Sequence, residues 1–393
     1  MTMVVKEIDR SSDLATLHET LVERARALAP QIRERAAKTE AMRAVPRESI
    51  AEIVAAGLGG RILAPRRFGG DELSLDTMYE VSLELGRACA STAWCAALLP
   101  HDAHMVGFFP QAAQEAVWAD GPDACIAASL APAATVQKVD GGYRLTGRHG
   151  FASGVDHASW VIVSGLIKDG GRPANHHFLV KPGDYTIDDD WYAAGMRGTG
   201  SKTIVVDDVF VPDGFVLAAA ALVAGDAPGA EVNQGALYRQ PLALHAGLTF
   251  LGPMMGTALD AFDHFVDWAR GRAQTAGSEI VQEAVARTAA DLDLAQLAVW
   301  RILTAARTSG TFELADRAEI LRDYNRVAEL LVESVDRLFA LSGTSGFKET
   351  SPMQQKWRDI HMMASHVSFT RANFQHYGRM VLGLERDPKL VVF

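Results

Sequence analysis

Asp190-Trp191-Tyr192-Ala193-Ala194-Gly195-Met196-Arg197-Gly198-Thr199-Gly200-Ser201 runs through Lys202 into Thr203-Ile204-Val205-Val206 and then Asp207-Asp208-Val209-Phe210-Val211-Pro212. Closely spaced glycines predict a tight turn, because glycine adopts backbone angles that other residues avoid. The β-branched run after them predicts a strand. Upstream, residues 137–145 carry a glycine-containing hairpin signal at Gly141-Gly142, followed by the apolar run Trp160-Val161-Ile162-Val163. Residues 124–211 therefore read as a small sheet domain. On either side the period changes to that of a helix. Leu14, Leu17, Leu21 and Leu28 recur at helical spacing in a stretch from Asp13 to about Gly57, and a second stretch runs from Asp76 to Leu99. Beyond an Ala/Gly-rich connector at 217–235, helices are expected near 240–271, 278–309, 313–341 and 353–384. Ile320, Leu321, Val327, Leu330, Leu331, Leu338 and Phe339 form one apolar face, as a bundle helix requires. The expected fold is α+β: an N-terminal helical domain (1–122), a central β-barrel or sheet domain (123–230) and a C-terminal four-helix bundle (231–393).

The 393 residues, 48% hydrophobic and 22% charged, have the composition of an ordinary globular protein. A net charge of −10 without a Lys/Arg block argues against nucleic acid as a partner. Cys89, Cys95 and Cys125 form no CxxC pair and fit a reducing compartment, so a cytoplasmic protein is expected. Lys6, Glu7, Asp9 and Arg10 interrupt any signal-peptide core, and the longest apolar run, Phe215–Ala224, is too short to span a bilayer. Metal binding is not expected. His101 and His104 have no HExxH or Cys/His set beside them, while His361 and His366, five apart on one helix, would point about 140° apart.

The order of helical layer, sheet and bundle, together with the Gly195–Ser201 segment, resembles the acyl-CoA dehydrogenase superfamily, in which a flavin lies between the β domain and the bundle. The likeness spans nearly the whole chain. Gly147-Arg148-His149-Gly150-Phe151-Ala152-Ser153-Gly154-Val155-Asp156-His157-Ala158 is similar to a stretch of the flavin-dependent monooxygenase branch, with His149 where tryptophan is usual. The resemblance implies that Ser153 hydrogen-bonds the flavin near N5. It also implies cofactor contacts at Phe151, Ala152, Arg197, Thr199, Ser201 and Gly343, and at Arg272, which matches the phosphate-side arginine and whose planar fork suits a phosphate.

Dehydrogenation of a thioester requires a carboxylate base, which in the family pattern lies eight residues after the Asp of an Arg-Asp pair. Here the pair is Arg358-Asp359, and the base position is occupied by Val367. The alternative position on an earlier helix, within Gln240–His245, also has no acid. His366 corresponds to the catalytic histidine of the monooxygenase branch. His101, following the second helical segment, and Ser129, in Ser129-Leu130-Ala131-Pro132, resemble the pair that meets a phenol. A histidine there can take the phenolic proton, and the resulting phenolate directs oxygen to the neighbouring ring carbon.

No Rossmann GxGxxG follows a strand, so the resemblance implies reduced flavin delivered by a separate NAD(P)H:flavin reductase, without need for docking. Reduced FMN or FAD is the expected cofactor, FMNH2 preferred, with O2 as co-substrate and a flavin C4a-hydroperoxide as the oxygen donor. The expected function is hydroxylation of a small, phenolic aromatic compound by the oxygenase component of a two-component monooxygenase. Thioester dehydrogenation and N- or S-oxygenation are the alternatives, and a homotetramer is the expected assembly.

Overall fold

The computed structural model describes residues 13–168, 171–240, 242–308 and 312–385. Five helices come first: α1 (Asp13–Met42), α2 (Arg47–Ala55), α3 (Leu75–Gly86), α4 (Ala90–Val106) and α5 (Gln111–Val117). The helical stretch expected to run to Gly57 is broken at Arg43–Pro46. Proline lacks the N–H a continuing helix needs, and Pro46 instead opens α2. The stretch expected at 76–99 is likewise two helices, separated where Cys89 turns extended (φ −157).

Seven strands follow: β1 (Ile126–Val139), β2 (Gly142–Ala152), β3 (Trp160–Ile167), β4 (Ala174–Val180), β5 (Thr186–Asp188), β6 (Lys202–Pro212) and β7 (Val216–Ala218). They form one sheet in the order β5-β6-β2-β1-β3-β4-β7, and only the β1/β3 pair is parallel. The expected hairpin closes at Val139↔Gly142, where Gly141 (φ 71) supplies the left-handed residue of the turn.

The remaining helices are α6 (Ala219–Ala224), α7 (Ala243–Arg270), α8 (Ala273–Ala276), α9 (Glu279–Thr308), α10 (Leu314–Leu341), α11 (Gly343–Gly346), α12 (Pro352–Ala364) and α13 (Arg371–Val381). Helix α10 opens on a reciprocal Glu313/Asp316 capping box. Helix α12 opens on Ser351, whose hydroxyl accepts the Met353 N–H at 3.3 Å, with Pro352 at the first position. The single helix expected over 353–384 is interrupted at Ser365–Thr370, so His361 and His366 do not share a helix. Ser365 turns its hydroxyl back to His361 O (2.8 Å), and the His366 ring accepts the Ser368 N–H (3.2 Å). These side-chain bonds offer the backbone an alternative to the helical ladder.

One apolar core joins the N-terminal helices to the bundle: Tyr79, Leu85 and Trp94 from α3 and α4 meet Leu251, Met254 and Tyr324 from α7 and α10. A second cluster, including Phe108, Phe109 and Trp118, seals α4 and α5 against β1, β3 and β4, and a third fills the sheet domain. The glycines of the Gly195–Ser201 loop permit close approach. A Cβ on Gly195 would sit 2.4 Å from Arg358 O, and one on Gly198 2.3 Å from a Thr39 methyl. The loop is thereby pressed onto α12 and α1. Met196 N–H donates to Asp359 (2.6 Å), and Arg358 bonds both Ala194 O and Glu40. Two segments 163 residues apart in the chain thus form one clamp. Its Asp359 carboxyl is pushed up to about 7, chiefly by burial, against the lowering effect of the Met196 N–H.

Candidate active site

Strand β2 ends in a bulge that re-aims its last residues. Between His149↔Ile204 and Ala152↔Lys202 three steps on β2 oppose two on β6, and Phe151 takes a left-handed conformation (φ 62). Strict alternation would bury Phe151. The bulge instead leaves its ring 72% exposed while the neighbouring Ala152 is fully buried. A strained backbone that holds an apolar ring outward has a structural cost, and such costs collect at ligand sites. Next in the chain, the half-buried Ser153 accepts the Trp94 indole N–H (3.2 Å) and lies 2.7 Å from the Ser201 hydroxyl, which is 2.6 Å from that of Thr199. Gly154 N–H, donating to Thr199 O at 2.8 Å, ties the two loops together.

Trp94 also stacks on Phe250 of α7 (ring centroids 4.4 Å), and the His366 ring packs against both, 4.0 Å from Phe250 and 5.6 Å from Trp94. Ser153 and His366, more than 200 residues apart, are therefore joined by two aromatic rings. Because the Ser368 N–H occupies His366 Nδ1, the neutral ring carries its proton on Nε2. Burial, with His101 as a smaller contributor, pushes its pKa down to about 4.

His101 lies inside α4, not after it, and is 5% exposed. Nδ1 is 3.0 Å from Asp102, while Nε2 is buried without a hydrogen-bond partner. Burial holds the Asp102 carboxyl above its usual range, and His101 opposes that shift. His104, one turn on, is fully committed: Nε2 donates to Leu237 O (3.2 Å) and Nδ1 meets His245 Nδ1 (3.1 Å). Of the two α4 histidines, His101 has the available nitrogen. Ser129 of β1 donates to Gly150 O (2.7 Å), bracing the bulge and leaving its oxygen able to accept a further bond.

The remaining three expected cofactor residues make other contacts. Arg197 Nε pairs with Glu40 at 3.9 Å and makes no hydrogen bond. Arg272 is exposed at the end of α7, donating to Trp268 O (2.9 Å), and Gly343 (φ 58) is exposed where α11 begins. Among the described residues, no hydrogen bond or ring contact joins Arg272 or Gly343 to Ser153. Trp94 and Phe250 escaped the sequence reading because each sits in an apolar helical run, where an aromatic reads as core. Among the described residues, no group of three or more His, Cys, Asp or Glu side chains could hold a metal ion, and no helix is long and apolar enough to cross a membrane.

Several imidazoles are held neutral by burial: His104 is pushed down to about 3, and His149, His177 and His366 to about 4. The unfolded chain takes up these protons near pH 6.5 and the folded protein does not, so stability present above pH 6.5 is lost as the pH falls toward 4. At pH 5 each group costs about 2 kcal/mol. Asp359 works in the opposite sense, because its folded pKa is raised and the folded state binds its proton first, offsetting about 2 kcal/mol between pH 7 and pH 5. A net loss of several kcal/mol between pH 7 and pH 5 is expected. It is checked by urea midpoints at the two pH values, and equal midpoints would contradict it.

Comparison with known proteins identifies the family. Residues 248–371 match the acyl-CoA dehydrogenase, C-terminal domain family. The chain is 36% identical over 366 residues to a flavin-dependent monooxygenase, oxygenase subunit HsaA, of Rhodococcus jostii (strain RHA1), covering 88% of this chain and 94% of that one. It is 33% identical to the FADH(2)-dependent resorcinol hydroxylase, oxygenase component, of Rhizobium sp. (strain MTP-10005), covering 94% and 95%. The crystal structure of 3-HSA hydroxylase from Rhodococcus sp. RHA1 superposes with a TM-score of 0.89 at 31% identity, covering 98% of this chain and all of that one. The fold and these relatives define a flavoenzyme of the acyl-CoA dehydrogenase superfamily. Within it, the chain belongs to the flavin-dependent monooxygenases, as an oxygenase component of the two-component aromatic hydroxylases. The thioester dehydrogenase alternative is thereby set aside.

Proposed function

We propose that this oxygenase hydroxylates a phenol, with reduced flavin seated against Phe151 and Ser153 and the phenol held by His101 and Ser129. The observation that carries the reading is the buried, unpartnered His101 Nε2, on the same helix as Trp94, which touches both Ser153 and His366. The residues fit a flavin: an exposed aromatic ring offers a planar apolar surface, and beside it a hydroxyl retains hydrogen-bonding capacity. When bound, reduced flavin supplies the two electrons with which O2 yields one oxygen atom to the ring and one to water.

His101 accepts the phenolic proton at Nε2 while Asp102 holds Nδ1, and the activated ring carbon lies next to the phenolate. Ser129, its own proton spent on Gly150 O, can accept a hydrogen bond only from a second donor on the substrate, such as another ring hydroxyl. Ser153 faces N5, and His366 offers its Nε2 proton within the wall formed by Phe250 and Trp94. Those rings exclude water and so strengthen every polar contact they surround. Arg197, Thr199 and Ser201 border the flavin from the Gly195–Ser201 loop. Arg272 and Gly343, not bonded to Ser153 in their own chain, close the flavin site of a neighbour in a homotetramer. Light scattering should give four times the chain mass, and a monomer at working concentration would contradict that assembly. Both FMN and FAD are candidates, with FMNH2 preferred, supplied by an NAD(P)H:flavin reductase. Three unpaired cysteines fit the reducing environment of the cytoplasm.

Phenol capture is tested by anaerobic titration with a panel of phenols. Bound substrate should show the red-shifted absorbance of a phenolate, and His101→Ala should weaken binding roughly 10- to 100-fold, as loss of a hydrogen bond to a charged group does. Unchanged affinity and spectrum in His101→Ala would remove His101 from the site.

A further inference from the structure

The hydroxyls beside Phe151 form a chain with only one consistent direction. Trp94 Nε1 can donate and cannot accept, whereas Met196 O can accept and cannot donate. Between them stand three hydroxyls in sequence: Trp94 Nε1 to Ser153 Oγ (3.2 Å), Ser153 Oγ to Ser201 Oγ (2.7 Å), Ser201 Oγ to Thr199 Oγ1 (2.6 Å) and Thr199 Oγ1 to Met196 O (2.8 Å). Four contacts require four protons, and the four groups carry four. Every proton must then run from Trp94 toward Met196, because reversing any hydroxyl leaves two oxygens facing each other without a proton. Met196 O also receives the Trp191 and Thr199 N–H groups, each at 3.2 Å, and the Thr199 hydroxyl is the closest of its three donors. Trp94, Thr199 and Ser201 are buried, at 7%, 2% and 5% exposure, while Ser153 is the half-buried, open member. The Ser153 proton is thus committed to Ser201. One of its lone pairs takes the Trp94 N–H, and the other is free.

We propose that Trp94, Ser201 and Thr199 are positioning residues that hold the Ser153 proton away from the site, so that Ser153 presents a lone pair and selects reduced flavin over oxidised. The inference rests on the placement of flavin N5 at Ser153 proposed above. Reduced flavin carries a proton on N5 and donates. Oxidised flavin has a lone pair there and meets an oxygen that has no proton to offer. A site wired in this way takes up the form that reacts with O2 and releases the spent form without a conformational change.

The test compares dissociation constants of oxidised and photoreduced FMN and FAD, measured anaerobically on the full-length protein, wild type and variants. Ser201→Ala removes the acceptor of the Ser153 proton and frees it to turn to N5. The ratio of oxidised to reduced dissociation constants should fall roughly tenfold, equivalent to about 1.4 kcal/mol. Thr199→Val releases the Ser201 proton to turn back toward Ser153, and should lower the ratio likewise. Thr199→Ser, which keeps the hydroxyl, should restore it. A purely structural role would weaken both forms alike, so an unchanged ratio in Ser201→Ala and Thr199→Val overturns the proposal. If Ser201→Ala does not fold, the Thr199→Val and Thr199→Ser pair decides it. Wild-type protein that binds no flavin in either redox form would overturn instead the flavin placement beneath it.

Discussion

His366→Ala should produce roughly tenfold less hydroxylated product per reduced flavin consumed, with the missing electrons recovered as hydrogen peroxide. Two losses combine in that variant. The Nε2 proton disappears from a site where burial keeps the imidazole neutral at pH 7, and a hydrogen bond made in such surroundings is worth about 1–3 kcal/mol. The ring also fills space against Phe250 and Trp94, so its removal opens a path for water beside Ser153. Quenched single turnovers with photoreduced flavin, assayed for both product and peroxide, separate these outcomes from simple loss of flavin binding. His366→Asn, which can still donate a proton, should recover part of the yield. A folded His366→Ala protein with wild-type coupling and rate would take His366 out of the mechanism.

His366 also shows what could be read in the chain and what could not. Its identity and distance from Arg358-Asp359 are legible by counting, and they single it out beside Val367. The helix break that gives it its position is not, because Ser365-His366-Val367-Ser368 breaks a helix only through side-chain bonds to the local backbone. The break also changes what the dehydrogenase comparison means. Val367, at the position counted for a carboxylate base, is 56% exposed, while the neighbouring His366 packs on Trp94 and Phe250.

Alternation in β2 predicts an inward Phe151, and the bulge that turns it outward is specified by pairing with β6, fifty or more residues away. The glycines at 195 and 198 announce a turn from composition alone. That they also press the loop onto Arg358 and Thr39 depends on tertiary contact. Trp94 lay deepest, since an indole in an apolar helix has no sequence signal for the hydrogen bond it makes.

The absence of a nicotinamide fingerprint underlies the division of labour, and it predicts an all-or-none result. Protein mixed with oxidised flavin, NADH or NADPH, oxygen and a phenol should give essentially no hydroxylated product, because no βαβ unit with a glycine-rich phosphate turn is present among the described residues to hold the nicotinamide donor. Adding a flavin reductase should start the reaction. An unrelated reductase, or photoreduced flavin alone, should serve as well, since free reduced flavin diffuses between proteins and contact is unnecessary. The decisive measurement is hydroxylated product from the purified oxygenase with nicotinamide and without reductase, set beside the same protein given photoreduced flavin. The account predicts product in the second and none in the first; turnover with nicotinamide alone, or peroxide alone with every phenol supplied, would contradict it.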